Sequence, residues 1–445
     1  MSTIRVRGAG GPLVGATEVP GDKSIGHRAV IFAALASGRS CIHGLSGGED
    51  NRRTVRAFAQ LGVSMGEEDG GLHVEGRGLR GLVAPADPID CGNSGTTIRL
   101  LSGVLAPRPF VATLVGDRYL EARPMGRVLG PLRAMGARIE GREGAKAGET
   151  YPPLVVGPAP GPLRGATIDS PIASAQVKSA VILAALLAEG RTIVREPARS
   201  RDHTERMLAA MGAPISVENG AIVIDPASWD ERLQPRDLVI PGDLSSAAFL
   251  LGAALLVPKS RVIVRGVGTN PTRTGALDAI RAMGGRISVE NERDVGGEPV
   301  ADLIAEGSAL RGIRIEGGLA LRAIDELPLL AALAAHADGE TVIADAAELR
   351  VKESDRIAAT ASALRALGAT VEERPDGMTI DGRPSALQHG HVASRGDHRI
   401  ADDKVRRRLH GQHRFVRVGD RVPFRRSTAV AIGNQERVGV QVSSR

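Results

Sequence analysis

A glycine that ends a helix recurs five times along this 445-residue chain, and that recurrence constrains the fold more than any other feature. VRAFAQLGVSM, LGPLRAMGARI, ERMLAAMGAPI, LDAIRAMGGRI and SALRALGATV each run from a helical pattern through an apolar-apolar-Gly turn into alternating strand residues. The glycines, Gly62, Gly136, Gly212, Gly284 and Gly368, are spaced by 74, 76, 72 and 84 residues. Each fits a helix C-terminal position that needs a left-handed backbone, where the lack of a Cβ removes the steric penalty. Upstream in most units lies a second helix that opens on a polar cluster: KSIGHRAVIFAALASG, NSGTTIRLLSGVLA, SAQVKSAVILAALLAEG, LSSAAFLLGAALL and DELPLLAALAAHADG. A helix apolar on nearly every side belongs in a core. Several are followed by a Val- or Ile-rich strand such as TIVRE or ETVIA, so the chain reads as about six α/β units of roughly 65 to 85 residues.

The sixth unit starts near GDHRIA and then loses its pattern. After Ala401 the sequence DDKVRRRLHGQHRFVRVGDRVPFRR has no buried-helix period, and no sixth glycine turn follows. From Asp402 to Arg445 there are 11 Lys and Arg against 4 Asp and Glu, while residues 1–401 carry 46 against 47, so the net charge of +6 belongs to the tail. Two readings of this tail stand open. It is a disordered basic segment, or it records a change of reading frame, since an Asp-Asp pair encoded GAT-GAC gives Met-Thr when read one base later. Sequencing the encoding DNA around codon 402 separates them.

A chain of this length exceeds one ordinary core, so two domains are expected. Aromatics make up only 2% of residues, which leaves Ala, Leu, Val and Gly to build closely packed helices and strands. The two cysteines, Cys41 and Cys91, imply no disulfide framework and suit a reducing compartment. No secretory signal and no apolar run of about 18 residues is visible, so a cytosolic protein without a membrane span is expected. With a neutral body and no aromatics interleaved among the basic clusters, a nucleic-acid surface is not expected.

The chemistry-bearing residues cluster at helix starts. LRVKESDRI places Arg350, Lys352, Glu353, Asp355 and Arg356 at the front of an apolar-periodic helix. Such a concentration of cations beside unpaired backbone amides favours a phosphate or carboxylate. PGDKSIGHR places Asp22, Lys23, Ser24, His27 and Arg28 at another helix start; taken alone, His27 reads as a packed residue. GNSGTT is a Gly-rich turn from Gly92 to Thr97 without P-loop spacing, and SPIASAQ and GDLSS are further polar starts. One polar start is an ordinary N-cap, whereas five in successive repeats suggest converging anion sites.

Taken in order, PGDKSIGHR, GNSGTTIRL, LEARPMGR, SAQVKSA, SRDHTERM, PGDLSSAAF, AIDELP, LRVKESDR and GDHRIA resemble the 3-phosphoshikimate 1-carboxyvinyltransferase (5-enolpyruvylshikimate-3-phosphate synthase) family over residues 4 to about 401. The resemblance implies an α/β fold of two similar domains, each of three βαβαββ repeats, here with the sixth disrupted. Crossings near Pro20-Gly21 and Pro241-Gly242 would make residues 21–241 one domain, 1–20 plus 242–401 the other, and 402–445 an atypical basic tail. It further implies transfer of the enolpyruvyl group of phosphoenolpyruvate to the 5-hydroxyl of shikimate 3-phosphate, with release of phosphate, in aromatic amino acid biosynthesis. The expected enzyme is a cytoplasmic monomer that uses no cofactor or metal and is inhibited by glyphosate.

By position, the resemblance puts Lys23 between the substrates. Ser24, Arg28, Ser174, Gln176, Arg201, Asp325 and Lys352 would face shikimate 3-phosphate. Asn93, Gly95, Arg123, Gln176, Arg356 and Arg399 would face phosphoenolpyruvate. Asp325 matches the base for the 5-hydroxyl and Glu353 the carrier of the proton delivered to the methylene carbon. Two rival readings accompany this one. The related enolpyruvyl transferase acting on UDP-N-acetylglucosamine shares the fold but relies on a loop cysteine and a Lys-Asn pair where this chain has Lys23-Ser24. The other is an inactive remnant, motivated by the break after Ala401.

Overall fold

The computed structural model describes residues 5–7, 11–144, 149–352, 354–383, 387–388, 390–393, 397, 399–400 and 439–441. Apart from residues 439–441, the tail from residue 402 lies outside them.

All five recurring glycines adopt the left-handed conformation, with φ of 87° at Gly62, 97° at Gly136, 83° at Gly212, 88° at Gly284 and 88° at Gly368. In each turn the residue after the glycine donates its N–H five residues back, from Val63 to Phe58, Ala137 to Leu132, Ala213 to Leu208, Gly285 to Ile280 and Ala369 to Leu364, at 2.9–3.0 Å. The glycine itself bonds three residues back, as Gly62 does to Ala59 at 3.0 Å. This is the Schellman pattern, which satisfies the last carbonyls of a helix and reverses the chain into a strand.

The helices are α1 (Lys23–Leu35), α2 (Glu49–Gln60), α3 (Gly95–Leu105), α4 (Gly126–Ala134), α5 (Ala175–Ala185), α6 (His203–Ala210), α7 (Leu244–Leu256), α8 (Gly275–Ala282), α9 (Gly317–Arg322), α10 (Leu327–Ala335) and α11 (Arg356–Ala366). Those expected to be apolar all round, α1, α3, α5, α7 and α10, are buried over most of their length. The helices ending in the glycine turns, such as α2, present a polar face outward.

Among the described residues the strands form five four-stranded sheets with one repeated plan. In the second repeat Ile89–Asp90 runs parallel to Ala112–Val115, which pairs antiparallel with Thr150–Gly157, which pairs antiparallel with Arg138–Glu143. That is the expected βαβαββ unit. In two sheets the first strand comes from a distant part of the chain. Leu238–Val239 lies parallel to Ser37–His43, and Val14–Glu18 lies parallel to Arg261–Gly268. Among the described residues the remaining strands are Arg5–Arg7 and Gly439–Gln441, an antiparallel pair.

The chain divides into two compact units. Pro20–Pro241 with Asp294–Glu298 form the first, and Met1–Val19, Gly242–Arg293 and Pro299–Arg445 form the second. The remote strand of each borrowed pair explains why Val14–Glu18 groups with residues beyond Gly242. Nothing in the sequence sets Asp294–Glu298 apart. In the first unit Glu298 faces His203 Nδ1 at 2.8 Å, and the Gly297 carbonyl accepts from Arg206 at 3.1 Å. Each unit has its own core, built from Ala, Leu, Ile, Val and a few Met, with Phe32 and Phe58 as fully buried aromatics of the first.

Candidate active site

In the first unit, Asp22 caps α1 by accepting from Ser24 N at 2.7 Å and Ile25 N at 3.0 Å. The chain there leaves no room for a side chain at Gly21, where a Cβ would stand 2.1 Å from the Gly44 carbonyl oxygen. The cap places Lys23 at the start of α1, its Nζ 3.0 Å from Asp50 Oδ2 with both groups partly exposed. Arg28, one turn on, is buried and donates to Thr204 Oγ1 at 2.7 Å, Ser179 Oγ at 2.8 Å and the Ser24 carbonyl at 3.0 Å. Burial pulls its pKa down to about 10, Glu205 opposes that, and the neighbouring Arg201 cation adds to it. The guanidinium stays charged at neutral pH, beside a second cation, in a region where an incoming anion gains from both.

The turn before α3 is organised by Ser94, whose hydroxyl oxygen accepts from Thr97 N at 3.2 Å. Asn93 receives Arg123, through its side-chain oxygen and through its carbonyl at 3.4 Å. A Cβ built on Gly95 would sit 2.6 Å from Arg99 Nη1 and 3.1 Å from Arg123 Nη1, so two guanidinium groups flank the glycine. Arg99 donates to Gln176 Oε1 at 2.9 Å, and Gln176 Nε2 donates to Thr96 Oγ1 at 3.0 Å. Asn93, Gly95, Arg123 and Gln176 are thus gathered at one place. Arg99 was not among the sequence candidates, although it lies one helical turn after Gly95, where side chains share a face.

Ser174 is the N-cap residue of α5, and its side chain makes no capping hydrogen bond. Its N–H donates to Glu196 Oε1 at 3.0 Å. A cavity of about 630 Å³ between the 44–47 loop, α2 and the 67–72 turn includes none of the candidate residues among its lining.

In the second unit, Arg356 opens α11 and is 2% exposed. Its Nη1 lies 3.3 Å from Asp325 Oδ1 and its Nε 2.9 Å from Asp397 Oδ2. Asp397, of GDHRIA, is fully buried and also accepts from Ser354 Oγ at 2.9 Å and from Arg399 N at 2.9 Å. Asp397 was not among the sequence candidates, because its partner Arg356 lies 41 residues back and only the fold brings the two together. Lys352 Nζ is 3.9 Å from Glu348. Glu353 lies outside the described residues.

One sequence expectation at this helix start changes. Residues Ala347–Val351 form a 3-10 turn and α11 begins only at Arg356, capped by Asp355. Arg350 is spent inside the unit: Asp355 at 2.7 Å, Glu373 at 3.0 Å and the Pro375 carbonyl at 2.7 Å hold it. Its charge therefore braces the turn.

With these placements in hand, comparison with known proteins is decisive. The family model for EPSP synthase (3-phosphoshikimate 1-carboxyvinyltransferase) matches residues 8–402. The chain belongs to the EPSP synthase family. The 3-phosphoshikimate 1-carboxyvinyltransferase of Syntrophotalea carbinolica is 52% identical over 90% of this chain and 91% of its own length. That of Geobacter metallireducens is 51% identical over the same shares. The solved EPSP synthase structure from Acinetobacter baumannii superposes with a TM-score of 0.78 at 41% identity, covering 90% of each chain. The fold is the two-domain enolpyruvyl transferase fold. Among the described residues no helix is long and apolar enough to cross a membrane.

Proposed function

We propose that this chain transfers the enolpyruvyl group of phosphoenolpyruvate to the 5-hydroxyl of shikimate 3-phosphate, acting as a monomer in the cytosol. The observation that supports the reading most strongly is the paired guanidinium groups of Arg99 and Arg123 across side-chain-free Gly95, with Gln176 clamped beside them. Two fixed guanidinium forks suit a compact, multiply charged anion that carries both a phosphate and a carboxylate. Arg28, Arg201 and the uncapped start of α5 at Ser174 offer the seat for the 3-phosphate, with Ser24 and Lys23 at the neighbouring start of α1.

The reaction needs a proton acceptor at the 5-hydroxyl and a proton donor to the methylene carbon, so that C2 becomes electrophilic and the hydroxyl oxygen can add to it. Loss of phosphate and of a methyl proton from the tetrahedral adduct then restores the double bond. Asp325, held against buried Arg356, is the acceptor in this reading. Glu353 carries the proton to and from the methylene carbon. Lys23, Asn93, Arg356 and Arg399 would stabilise the charge that develops on the donor, Lys352 the substrate or the leaving phosphate.

The nucleotide-sugar reading finds no support in the cysteines. Cys91 is fully buried, burial raises its pKa, and Cys41 is 8% exposed. Neither is placed as a reactive loop thiol. The test is phosphate release that requires shikimate 3-phosphate and phosphoenolpyruvate together. No release should follow when UDP-N-acetylglucosamine replaces the former. Turnover with the nucleotide sugar, or none in folded protein, would overturn the reading.

A further inference from the structure

Lys178 is 1% exposed in the first turn of α5, a helix otherwise made of small and apolar residues apart from Gln176 and Ser179. Its Nζ lies 2.7 Å from Glu205 and 3.0 Å from Glu196, and 3.4 Å from the Ser200 carbonyl oxygen. Removing a cation and two carboxylates from water is costly, and apolar side chains at all three positions would avoid that cost, whereas an apolar side chain at 178 alone would strand two buried carboxylates. Such a cluster therefore calls for a reason other than stability, and its attachments supply one.

Glu196 accepts from Ser174 N at 3.0 Å and from Ser200 Oγ at 2.7 Å, so it ties the start of α5 to the loop that leads to Arg201. The carbonyl facing Lys178 belongs to the Ser200-Arg201 peptide itself. Glu205 is the acidic group that acts most strongly on Arg28, and its neighbour Thr204 accepts from Arg28 Nε at 2.7 Å. Three residues assigned above to the 3-phosphate seat, Ser174, Arg201 and Arg28, thus hang on groups that converge on one buried ammonium.

We propose that Lys178, acting through Glu196 and Glu205, is a positioning residue that sets the geometry and the charge of the shikimate 3-phosphate seat. The proposal rests on the functional reading given above. Lys178 touches neither substrate. It neutralises two carboxylates that would otherwise repel a phosphate dianion, and it holds the 196–201 loop in register with Ser174. A purely structural lysine would lower the amount of folded protein and leave the constants for both substrates unchanged. A positioning lysine affects one of them.

The experiment measures shikimate 3-phosphate binding by calorimetry and both Michaelis constants for the full chain, Lys178→Met and Ser200→Ala, with melting curves for each. In Lys178→Met the dissociation and Michaelis constants for shikimate 3-phosphate are expected to rise at least tenfold, about 1.4 kcal/mol of binding, while the Michaelis constant for phosphoenolpyruvate stays within threefold. Ser200→Ala removes one hydroxyl that holds Glu196 and is expected to raise the shikimate 3-phosphate constants about threefold, about 0.65 kcal/mol by the same conversion. Constants within twofold of the parent in a cooperatively melting Lys178→Met overturn the proposal, as does an equal rise for both substrates. If Lys178→Met does not fold, Ser200→Ala decides by the same criterion. Failure of the parent chain itself to bind shikimate 3-phosphate is a different result and removes the functional reading along with the proposal.

Discussion

Gly95 shows how a single missing side chain shapes the proposed donor site. A methyl group there would stand 2.6 Å from Arg99 Nη1, closer than real contacts allow, and 3.1 Å from Arg123 Nη1, a tight contact, so the Arg99 guanidinium would have to move and that of Arg123 to give by a few tenths of an ångström. If the proposed donor site is right, displacing them would weaken the hold on the phosphoenolpyruvate anion and on glyphosate, which would compete for the same seat. Gly95→Ala is expected to raise the Michaelis constant for phosphoenolpyruvate roughly tenfold, about 1.4 kcal/mol, and to raise the glyphosate inhibition constant by at least as much. The constant for shikimate 3-phosphate should stay within twofold. Equal glyphosate inhibition of parent and variant in steady-state assays would contradict this placement. Gly95 and Arg123 were named in the sequence because GNSGTTIRL and LEARPMGR stand in the family's order, and the fold sets them side by side. Arg99 was not, because its role comes from the i, i+4 geometry of α3 and from Gln176, 77 residues away. The Arg350 charge misled for a related reason, since its partners Glu373 and Pro375 come from a strand and turn that only the folded chain brings near.

At the scale of elements, packing is decided by small residues. Gly103 of α3 faces the Ala180 backbone of α5, where an added Cβ would stand 2.1 Å from the carbonyl oxygen. Backbone cannot step aside as a flexible side chain can, so the two helices would have to separate across the fully buried core of the first unit. Gly103→Ala is expected to destabilise by at least about 1 to 3 kcal/mol, and denaturant unfolding monitored by circular dichroism checks it. An unchanged midpoint would show that α3 and α5 do not cross this closely. The recurring α/β units were legible because each glycine turn needs the left-handed conformation that only this residue adopts freely, whereas the βαβαββ order within them came from the family resemblance. The borrowed strands Leu238–Val239 and Val14–Glu18 were not legible from periodicity, since two and five residues of alternating pattern say nothing about a partner some 200 residues away.

Over the whole molecule, the mix of buried charge and buried imidazole sets how stability answers to pH. His27 sits wholly inside the first unit, Nδ1 2.7 Å from Thr54 Oγ1, and burial holds its pKa down to about 3, against the pull of Asp50 and helped by the Lys23 and Arg28 cations. His336 in the second unit is lowered by burial to about 4. The unfolded chain binds these protons below pH 6.5 and the folded chain does not, so stability rises with pH across that window and is lost as pH falls from about 6.5 toward 3. Between pH 7 and 5 His27 alone should contribute a loss of about 2 kcal/mol. Urea unfolding at the two values should show this slope, and His27→Gln should reduce it by close to one proton; an unchanged slope in the variant would mean that His27 is not neutral in the folded state.

The central claim is that this chain carries out enolpyruvyl transfer, with Asp325 as the acceptor of the 5-hydroxyl proton. Phosphate release from shikimate 3-phosphate plus phosphoenolpyruvate by the full chain, beside Asp325→Asn, tests it most directly. The account predicts release that requires both substrates and falls at least a hundredfold in the variant, about 2.7 kcal/mol of barrier. Release that is absent from cooperatively folded parent protein, or undiminished in Asp325→Asn, would contradict it.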